Sequence, residues 1–413
     1  MSERPLLLDV TRLISRSWTG RRSTGIDRVC NAYLDHFAPR AQAVVQHRGV
    51  FRILTKRHSD ALFDMLREDD APFRRRLASL TPAAIAAGKS HVDGHATTYI
   101  NVSHTDFDLD SHVRWSQACG FRSVYLIHDL IPLTHGEHCR PHAIRRHRGR
   151  VQNALRHASG IIVNSAATAN DLAGFSTREK LPSPPVLVAR LAGASLAVRP
   201  SALGTQEPYF LCVGTIEPRK NHLMLLDLWQ NLAARMGKTA VPRLIIVGQW
   251  GANSGAVRQK LQDCAGLGDR VLLLENCGDA ALGDWIAGAR ALLMPTLAEG
   301  FGLPMVEALR LGTPVIASDL PCFKEIGEGI PTLIAPHDIA AWDRAILDFM
   351  ADSPERLRQL ALLRAYRPTS WKSHFAQVDN WLPTLPQRHQ PLAAAVCDPS
   401  GDPSFSEAGR LRA

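Results

Sequence analysis

Two glutamates, Glu299 and Glu307, lie eight positions apart in a stretch whose pattern predicts a ligand-binding loop. The apolar run 291–294 has the length of a strand, and after Pro295 the chain enters the glycine-bearing loop 299–302, with a helix predicted from about Pro304. Glu299 then lies in the loop and Glu307 on the first turn of the helix, so both carboxylates can face one pocket. A carboxylate that accepts hydrogen bonds from two neighbouring hydroxyls is a common way to hold a ribose.

The loop between the glutamates predicts an anion site. Gly300 and Gly302 allow the backbone to approach a bound group closely, since glycine has no side chain. The helix that follows has free amides and a positive dipole end at its N-terminus, which favours an anion such as phosphate. On this prediction the amides of Phe301, Gly302 and Leu303 bind phosphate or sugar oxygens.

A second motif, VGTIEPRKN over residues 213–221, follows another predicted strand. Gly214 allows a tight turn, and Arg219 and Lys220 place two cations at the C-terminal edge of the predicted sheet. Two cations at the start of a helix oppose its dipole, which disfavours a purely structural role. A nucleoside diphosphate leaving group gains negative charge as its glycosidic bond breaks, and fixed cations stabilise such a transition state. They could replace a metal ion.

The string AEGFGLPMVEAL, followed by GTPVIASDLP, resembles the signature of glycosyltransferase family 4, whose members are retaining sugar transferases of the GT-B fold. The resemblance covers the C-terminal half closely. It implies an α/β protein with two Rossmann-like parallel-sheet domains that face each other across a cleft. It also implies that Arg219 and Lys220 bind the donor diphosphate, that Glu307 binds the ribose, and that Glu299 binds hydroxyls of the donor sugar.

The first half of the chain carries looser matches to the same family. A predicted strand over residues 123–127 leads into HDLIP, at the strand end where open parallel sheets bind ligands. A histidine at such a place is often structural, but in the family the HDL-like histidine lies against the donor sugar. The resemblance therefore implies that His128 lines the reacting face and that Asp129 is a polar group on the acceptor side. Thr24 and Gly25 stand where the family has a glycine-rich cleft loop, which suggests that they approach the donor or acceptor.

The aspartates of DFDLD, residues 106–110, raise the alternative of a metal site. Alternating aspartates hold a divalent cation in sugar transferases of the other major fold, GT-A. Here the run is predicted to cap a helix beginning near Ser111. The GT-B resemblance makes a metal unnecessary, and no cofactor is expected, since the nucleotide-sugar is a substrate.

The composition, with 413 residues, 45% hydrophobic and 21% charged, is that of a globular protein of two or three domains. No apolar run approaches a membrane span and the start lacks a signal-peptide pattern, so a cytoplasmic chain is expected. The net charge of +9 favours an anionic partner. No nucleic-acid-binding module is recognised, so nucleic acid is not expected.

The segment CRPHAIRRHRGRVQNALRH, residues 139–157, predicts a basic helical face. Such a face suits peripheral contact with an anionic membrane on its cytoplasmic side, or the diphosphate of a lipid-linked acceptor. A solvated basic face without a partner is the remaining interpretation.

Strand-like runs alternate with helical stretches, which predicts parallel sheets with crossover helices. We expect an acceptor-side domain over residues 1–200, a nucleotide-sugar-binding domain over 201–370, a helix over 371–385 that crosses back to the first domain, and a disordered tail over 386–413.

Residues 11–25 are predicted to form a basic loop, and residues 60–80 are predicted to form one helical piece. No G-x-G-x-x-G follows a predicted strand, which disfavours a dinucleotide dehydrogenase.

These features predict retaining transfer of a sugar from a nucleotide-sugar donor to a saccharide or lipid-linked oligosaccharide, in surface polysaccharide synthesis. Mannose is the first candidate for the sugar, and this choice, like the acceptor, follows from the resemblance alone. Two alternatives stay open: an inactive partner protein that senses sugar nucleotides, and a sugar-nucleotide epimerase of the same fold. The presence of all four charged residues of the two motifs argues against an inactive protein, and product formation without an acceptor would identify an epimerase.

Overall fold

A computed structural model describes residues 5–20, 24–47, 49–68, 72–87, 97–199 and 207–387. Within these ranges the chain forms two β-sheets covered by helices, one in each half. The predicted tail lies outside the described residues except for residues 386 and 387, and so do residues 21–23 of the predicted basic loop.

The first half forms a sheet in the strand order β3-β2-β1-β4-β5-β6-β7, in which only β3 is antiparallel to its neighbour. In chain order its elements are β1 (Leu6–Asp9), α1 (Thr11–Thr19), α2 (Gly25–Phe37), β2 (Ala41–His47), β3 (Val50–Ile53), α3 (Lys56–Arg67), α4 (Phe73–Ala86), β4 (Thr98–Asn101), α5 (Asp110–Cys119), β5 (Arg122–Ile127), α6 (Ile131–Thr134), α7 (Pro141–His157), β6 (Gly160–Val163), α8 (Ala166–Arg178) and β7 (Val186–Val188).

The second half forms a fully parallel sheet in the order β10-β9-β8-β11-β12-β13. Its elements are β8 (Tyr209–Val213), α9 (His222–Met236), β9 (Arg243–Val247), α10 (Gly255–Asp263), β10 (Val271–Leu274), α11 (Asp279–Gly288), β11 (Ala291–Met294), α12 (Leu303–Arg310), β12 (Val315–Ser318), α13 (Pro321–Gly327), β13 (Thr332–Ile334), α14 (Ile339–Met350), α15 (Pro354–Leu363) and α16 (Trp371–Trp381).

The strands read as continuous apolar runs because both faces of each sheet are buried. On β1, Leu8 packs into one core and Leu7 into the core on the opposite face. On β11, Leu292 and Leu293 divide between two cores in the same way. This double burial is typical of parallel sheets covered by crossover helices. The predicted fold class is therefore confirmed.

Each sheet has a topological switch point, where the connections run outward in opposite directions from two adjacent strands. These points lie between β1 and β4 and between β8 and β11. Open α/β sheets bind ligands at the carboxyl ends of the strands at such points. The loops after β8 and β11 are the two loops that carry the motifs of the second half.

The helix α16 packs against α2 of the first half. The ring of Phe375 stacks on His36 with centroids 4.0 Å apart, and Tyr33 Oη lies 3.0 Å from His374 Nε2. The end of the described chain thus returns to the first domain.

Three local predictions were wrong. Residues 11–19 form α1 instead of a loop, because Leu13 buries its side chain and Gly20 ends the helix in a left-handed conformation. The helical piece predicted over residues 60–80 is divided, since residues 60–67 belong to α3 and residues 73–80 to α4. The aspartates before α5 do not cap it, since its N-cap is Leu109 and makes no side-chain cap hydrogen bond.

Candidate functional site

Arg219 and Lys220 lie beside Glu299 at the switch point of the second sheet. Lys220 Nζ donates to Glu299 Oε2 at 2.5 Å, and Arg219 Nη1 donates to the same oxygen at 3.1 Å. Burial raises the pKa of Glu299, but the two cations outweigh burial and lower that pKa to about 2. The side chain of Glu299 is therefore ionised at neutral pH.

The two motif loops are joined by hydrogen bonds to the backbone of Arg219. The carbonyl oxygen of Arg219 accepts from the amide of Leu297 at 2.7 Å and from Thr296 Oγ1 at 3.0 Å. In return Arg219 Nη1 donates to the Ala298 carbonyl at 2.9 Å. These bonds place the guanidinium beside the loop 299–302.

Both cations keep donors for a further ligand. Arg219 uses Nε on Glu217 and Nη1 on Glu299, and among the described residues its Nη2 has no acceptor. The ammonium of Lys220 has three hydrogens and its one carboxylate partner uses one of them. The arrangement can therefore bind an anion without breaking its internal pairs.

The start of α12 presents backbone amides to the same region. Gly302 is the N-cap residue, with a φ of 109° that favours glycine. The amides of Phe301, Gly302 and Leu303 donate to no acceptor within the described part of the chain. Unsatisfied amides at a helix N-terminus form a ready anion site.

The loop 299–302 touches the first domain directly. A Cβ on Gly300 would lie 2.3 Å from the carbonyl oxygen of His128, so only glycine fits there. Ser165 Oγ donates to the Gly300 carbonyl at 2.7 Å from the start of α8. Gly300 was expected to allow close approach of a ligand, and in the structure it allows close approach of the backbone that carries His128.

His128 lies at the end of β5 and is almost fully buried. Its Nε2 donates to the Val102 carbonyl at 2.8 Å, which places the ring proton on Nε2. Burial lowers the pKa of His128 to about 4, although the Val102 carbonyl opposes this shift. At neutral pH the ring is neutral, and its Nδ1 is an acceptor with no donor among the described residues.

Asp129 faces the cation loop across the cleft. Burial alone would lower the pKa of Arg219, but the carboxylates of Glu299, Glu217 and Asp129 raise it. Asp129 Oδ1 also accepts from the amide of Ile131 at 3.0 Å, which fixes the carboxylate at the start of α6. Asp129 thus contributes negative charge on the first-domain side.

Glu307 is the fifth residue of α12 and lies on its second turn, one turn later than predicted. Its Oε1 accepts from Arg28 Nη1 at 2.7 Å and from the amide of Ala194 at 3.1 Å. The two glutamates of the motif therefore have different partners: Glu299 faces cations of its own domain, and Glu307 faces the first domain.

Thr24 and Gly25 form the start of α2 and reach α12. Thr24 and Asp27 form a capping box, in which the Thr24 amide donates to Asp27 Oδ2 at 2.7 Å. A Cβ on Gly25 would lie 3.3 Å from Leu303 Cδ1, which is close contact. The two predicted cleft residues thus lie against the N-terminus of the helix that carries Glu307.

Arg28 is a site residue that the sequence reasoning missed. It lies four positions after Thr24 and therefore on the same face of α2, one turn further on. This spacing from the predicted cleft residues is the signal that could have identified it. Ser165, at the start of α8, was likewise not assigned a contact with the loop 299–302.

The basic segment 139–157 uses three of its six arginines in ion pairs within the protein. Arg146 and Arg150 pair with Asp108, and Arg148 pairs with Glu179. Arg140, Arg145 and Arg156 lie exposed at the surface. Two of the three DFDLD aspartates, Asp106 and Asp108, thus pair with α7. Within the described ranges no group of three or more histidine, cysteine or acidic side chains is placed to hold a metal ion.

None of the described helices is long and apolar enough to span a bilayer.

Residues 197–361 match the family described as Glycosyl transferases group 1. The chain is 30% identical over 268 residues to the serotype-specific mannosyltransferase WbdA of Escherichia coli, covering 60% of this chain and 32% of WbdA. It is 28% identical over 324 residues to a D-inositol 3-phosphate glycosyltransferase of Streptomyces avermitilis, covering 72% of this chain and 67% of that protein. The chain thus spans about a third of the length of WbdA.

Among solved structures, Anabaena Alr3699/HepE in complex with UDP-glucose superposes with a TM-score of 0.64 at 18% identity, covering 92% of this chain and 99% of that chain. Sucrose-phosphate synthase from Thermosynechococcus elongatus superposes with a TM-score of 0.60 at 19% identity over the same shares of the two chains. At these identities the likeness concerns the fold. The family match is thus confined to residues 197–361, and the fold of the whole described chain is that of GT-B proteins.

Proposed function

We propose that this chain is a retaining glycosyltransferase that moves a sugar from a nucleotide-sugar donor to a saccharide or lipid-linked oligosaccharide acceptor. The observation that carries the proposal is that two cations and three amides with no acceptor among the described residues lie next to Glu299 at the switch point of the second sheet. These groups surround a place where a diphosphate would find charge and hydrogen-bond donors together.

The proposed roles follow from the groups that remain unpaired. Arg219 and Lys220 bind the diphosphate and stabilise the charge that develops on the leaving group. Gly214 allows the tight turn of the backbone in the loop that carries them. The amides of Phe301, Gly302 and Leu303 bind phosphate or sugar oxygens. Because the cations need no metal to act on a phosphate, the proposal includes no cofactor.

The remaining roles concern the sugar and the ribose. Glu307 binds ribose hydroxyls, and Glu299, next to Gly300, binds hydroxyls of the donor sugar. His128 lines the reacting face and accepts a hydrogen bond from a hydroxyl at Nδ1, since its Nε2 proton is donated to Val102. Asp129 contacts the acceptor from the first domain, and Thr24 and Gly25 form the loop beside it. Retention of configuration follows from the family resemblance.

Mannose is the proposed sugar and a surface polysaccharide the proposed product. Support comes from WbdA and from the O-antigen chain mannosyltransferase RfbU of Salmonella typhimurium, which is 33% identical over 147 residues, covering 34% of this chain and 38% of RfbU. The complexes of HepE contain UDP, which makes a uridine nucleotide one candidate for the donor. A guanosine nucleotide is the other candidate, because GDP-mannose is the donor expected for mannose. A cytoplasmic site of action, with α7 in contact with an anionic membrane, is part of the proposal.

Calorimetric titration with GDP, UDP and dTDP tests the donor site. One nucleotide should bind at micromolar Kd, and Lys220→Met should weaken that binding about 10- to 100-fold, the effect of losing a charge-assisted hydrogen bond. Lys372→Met, which removes an exposed lysine on α16, should leave the Kd unchanged. Absence of binding to the folded protein for all three nucleotides would overturn the proposal.

Product analysis with the matching nucleotide-sugar then separates the alternatives. Transfer that requires an added saccharide or lipid-linked acceptor supports the glycosyltransferase. Conversion of the nucleotide-sugar without an acceptor would identify an epimerase, and tight binding without any conversion would identify a sensor.

A further inference from the structure

Arg28 links the two domains at Glu307. Its Nη1 donates to Glu307 Oε1 at 2.7 Å, and its Nη2 donates to Asp279 Oδ1 at 2.6 Å. Arg28 belongs to the first domain and both carboxylates belong to the second. The guanidinium therefore spans the cleft between α2 and the helices α11 and α12.

The position of Arg28 is set by a buried network at the start of α2. The carboxylate of Asp27 is 1% exposed and pairs with Arg12 at 2.6 Å and with Arg16 at 3.0 Å. The same carboxylate completes the capping box with Thr24, whose carbonyl accepts from the Arg28 amide at 3.0 Å. The first turn of α2 is thus held on several sides, and Arg28 projects from a rigid element.

The two oxygens of Glu307 differ in their partners. Oε1 accepts from Arg28 and from the amide of Ala194. Oε2 accepts no hydrogen bond from any described residue. One oxygen is therefore held by the protein, and the other keeps its acceptor capacity for a ligand.

We propose that Arg28 is a positioning residue of the donor site, which holds Glu307 through Oε1 so that Oε2 accepts hydrogen bonds from the ribose hydroxyls of the nucleotide. This inference rests on the proposed function, since it takes the ribose to be the ligand of Glu307. It adds that the nucleoside is recognised through both domains, because Arg28 reaches Glu307 only when α2 packs against α12.

The charges around Glu307 explain why this position needs an arginine. Glu307 is 2% exposed, and burial raises its pKa. Arg28 from α2 lowers the pKa, the Ala194 amide from the chain between the domains lowers it too, and Asp279 from α11 raises it. Without Arg28 the pKa would rise further, and a protonated carboxyl group accepts fewer hydrogen bonds than a carboxylate.

The test compares ribose and dideoxyribose ligands. The probe is GDP or UDP, whichever binds the wild-type protein, and the corresponding 2′,3′-dideoxynucleoside diphosphate, titrated at pH 6.5 and 8.5. The wild-type protein should prefer the ribose form about 10-fold or more, as expected for hydrogen bonds to a charged group. Arg28→Met should lose most of this preference at pH 6.5 and recover part of it at pH 8.5, while its affinity for the dideoxy form stays within about twofold.

Two further variants make the result decisive. Glu307→Gln should lose the ribose preference at both pH values, since glutamine does not titrate. Arg190→Met removes another arginine–glutamate pair, the one with Glu325, and should keep the preference. If Arg28→Met does not fold, Arg28→Lys is the substitute, because it keeps the positive charge but loses the planar guanidinium that donates to two carboxylates at once. Its preference for the ribose form should be smaller than that of the wild-type protein and should depend less on pH than the preference expected for Arg28→Met.

The outcomes separate the two proposals. If Glu307→Gln loses the ribose preference but the Arg28 variants keep it, the inference about Arg28 is wrong and the proposed function stands. If the Arg28 variants weaken both ligands equally, Arg28 does not act through the ribose and the inference is also wrong. If the wild-type protein binds neither nucleotide, the proposed function fails and the inference fails with it.

Discussion

The two glutamates of the motif have opposite electrostatic environments. Burial raises the pKa of both carboxyl groups. Lys220 and Arg219 reverse the effect at Glu299, whereas Arg28 does not fully offset burial at Glu307. Two carboxyl groups separated by one short loop and one helical turn therefore differ in how readily they take up a proton. Such a difference suits different roles in one site.

Glu299→Gln should lower the free energy of unfolding by about 1–3 kcal/mol, because it removes the carboxylate that two largely buried cations share and leaves Lys220 with no carboxylate partner among the described residues. The side chains of Arg219 and Lys220 are 20% and 11% exposed, so water cannot fully replace the lost partner. Urea denaturation measures the change. Inorganic pyrophosphate should then stabilise the variant more than it stabilises the wild-type protein.

The matched control is Asp352→Asn. Asp352 also pairs with two arginines, Arg290 and Arg356, but its side chain is 63% exposed. Its loss should cost less than about 1 kcal/mol, as is usual for surface pairs. Equal losses in the two variants would contradict the view that the cation pair at Glu299 is shielded from water.

At the scale of elements, the contact between α16 and the first sheet depends on the small size of Gly160. A Cβ at this position, at the start of β6, would lie 2.5 Å from Trp381 Cη2 and 2.7 Å from Leu385 Cδ2. Trp381 is the last residue of α16. The end of the helix thus lies directly over the first strand residue of β6.

Gly160→Ala should lower the free energy of unfolding by about 1–3 kcal/mol, because the added methyl group overpacks the contact with Trp381. Gly174→Ala, inside α8, meets only the end of Arg178 at 3.4 Å and should raise stability by up to about 1 kcal/mol through its higher helix propensity. Chemical denaturation of both variants checks this. A neutral Gly160→Ala variant would show that α16 can shift without cost.

At the scale of the whole molecule, buried histidines make stability depend on pH. Burial lowers the pKa of His112 to about 3 and the pKa values of His128, His222 and His374 to about 4, and it holds the pKa of His104 well below its usual value. These rings stay neutral in the folded protein at pH values where the unfolded chain takes up protons. They lie in both domains and at their contact.

Stability should therefore be full above about pH 6.5 and fall as the pH drops from 6.5 towards 4, by up to about 1.4 kcal/mol per pH unit for each histidine. Asp9 acts in the opposite direction: burial raises its pKa to about 6, so its protonation favours the folded state as the pH falls below 6. Burial also raises the pKa values of Asp171 and Glu307, but the buried histidines outnumber these carboxyl groups and leave a net loss of stability as the pH falls. Urea denaturation at pH 7.5, 6.0 and 5.0 measures the slope.

His222→Leu isolates one contribution to that slope. Neither ring nitrogen of His222 has a hydrogen-bond partner among the described residues, so leucine removes the titration without breaking a hydrogen bond to them. The variant should reduce the pH dependence by about one proton, and His142→Gln, which changes an exposed histidine, should leave it unchanged. An unchanged slope in His222→Leu would contradict the assignment of a neutral buried ring.

The sequence by itself determined the fold class and the loops that carry the motifs. Strand β11 begins and ends where the apolar run 291–294 predicted, because a doubly buried parallel strand must be apolar throughout. Glycines and charged residues directly after such a strand belong to the carboxyl edge of the sheet once the strand is known. Arg219, Lys220 and Glu299 could therefore be expected to lie together, and they do, while their roles in catalysis stay predictions.

Only the tertiary structure decided the contacts between distant parts of the chain. The sequence predicts Glu307 as a ribose ligand, yet one of its carboxylate oxygens accepts a hydrogen bond from Arg28, which lies 279 positions away in the chain. Gly300 touches the backbone of His128, and Asp106 and Asp108 pair with α7 instead of capping α5. Local sequence patterns report which residues are buried and where helices and strands occur. They do not report which surfaces of two separately folded sheets meet, because that depends on how both domains pack together.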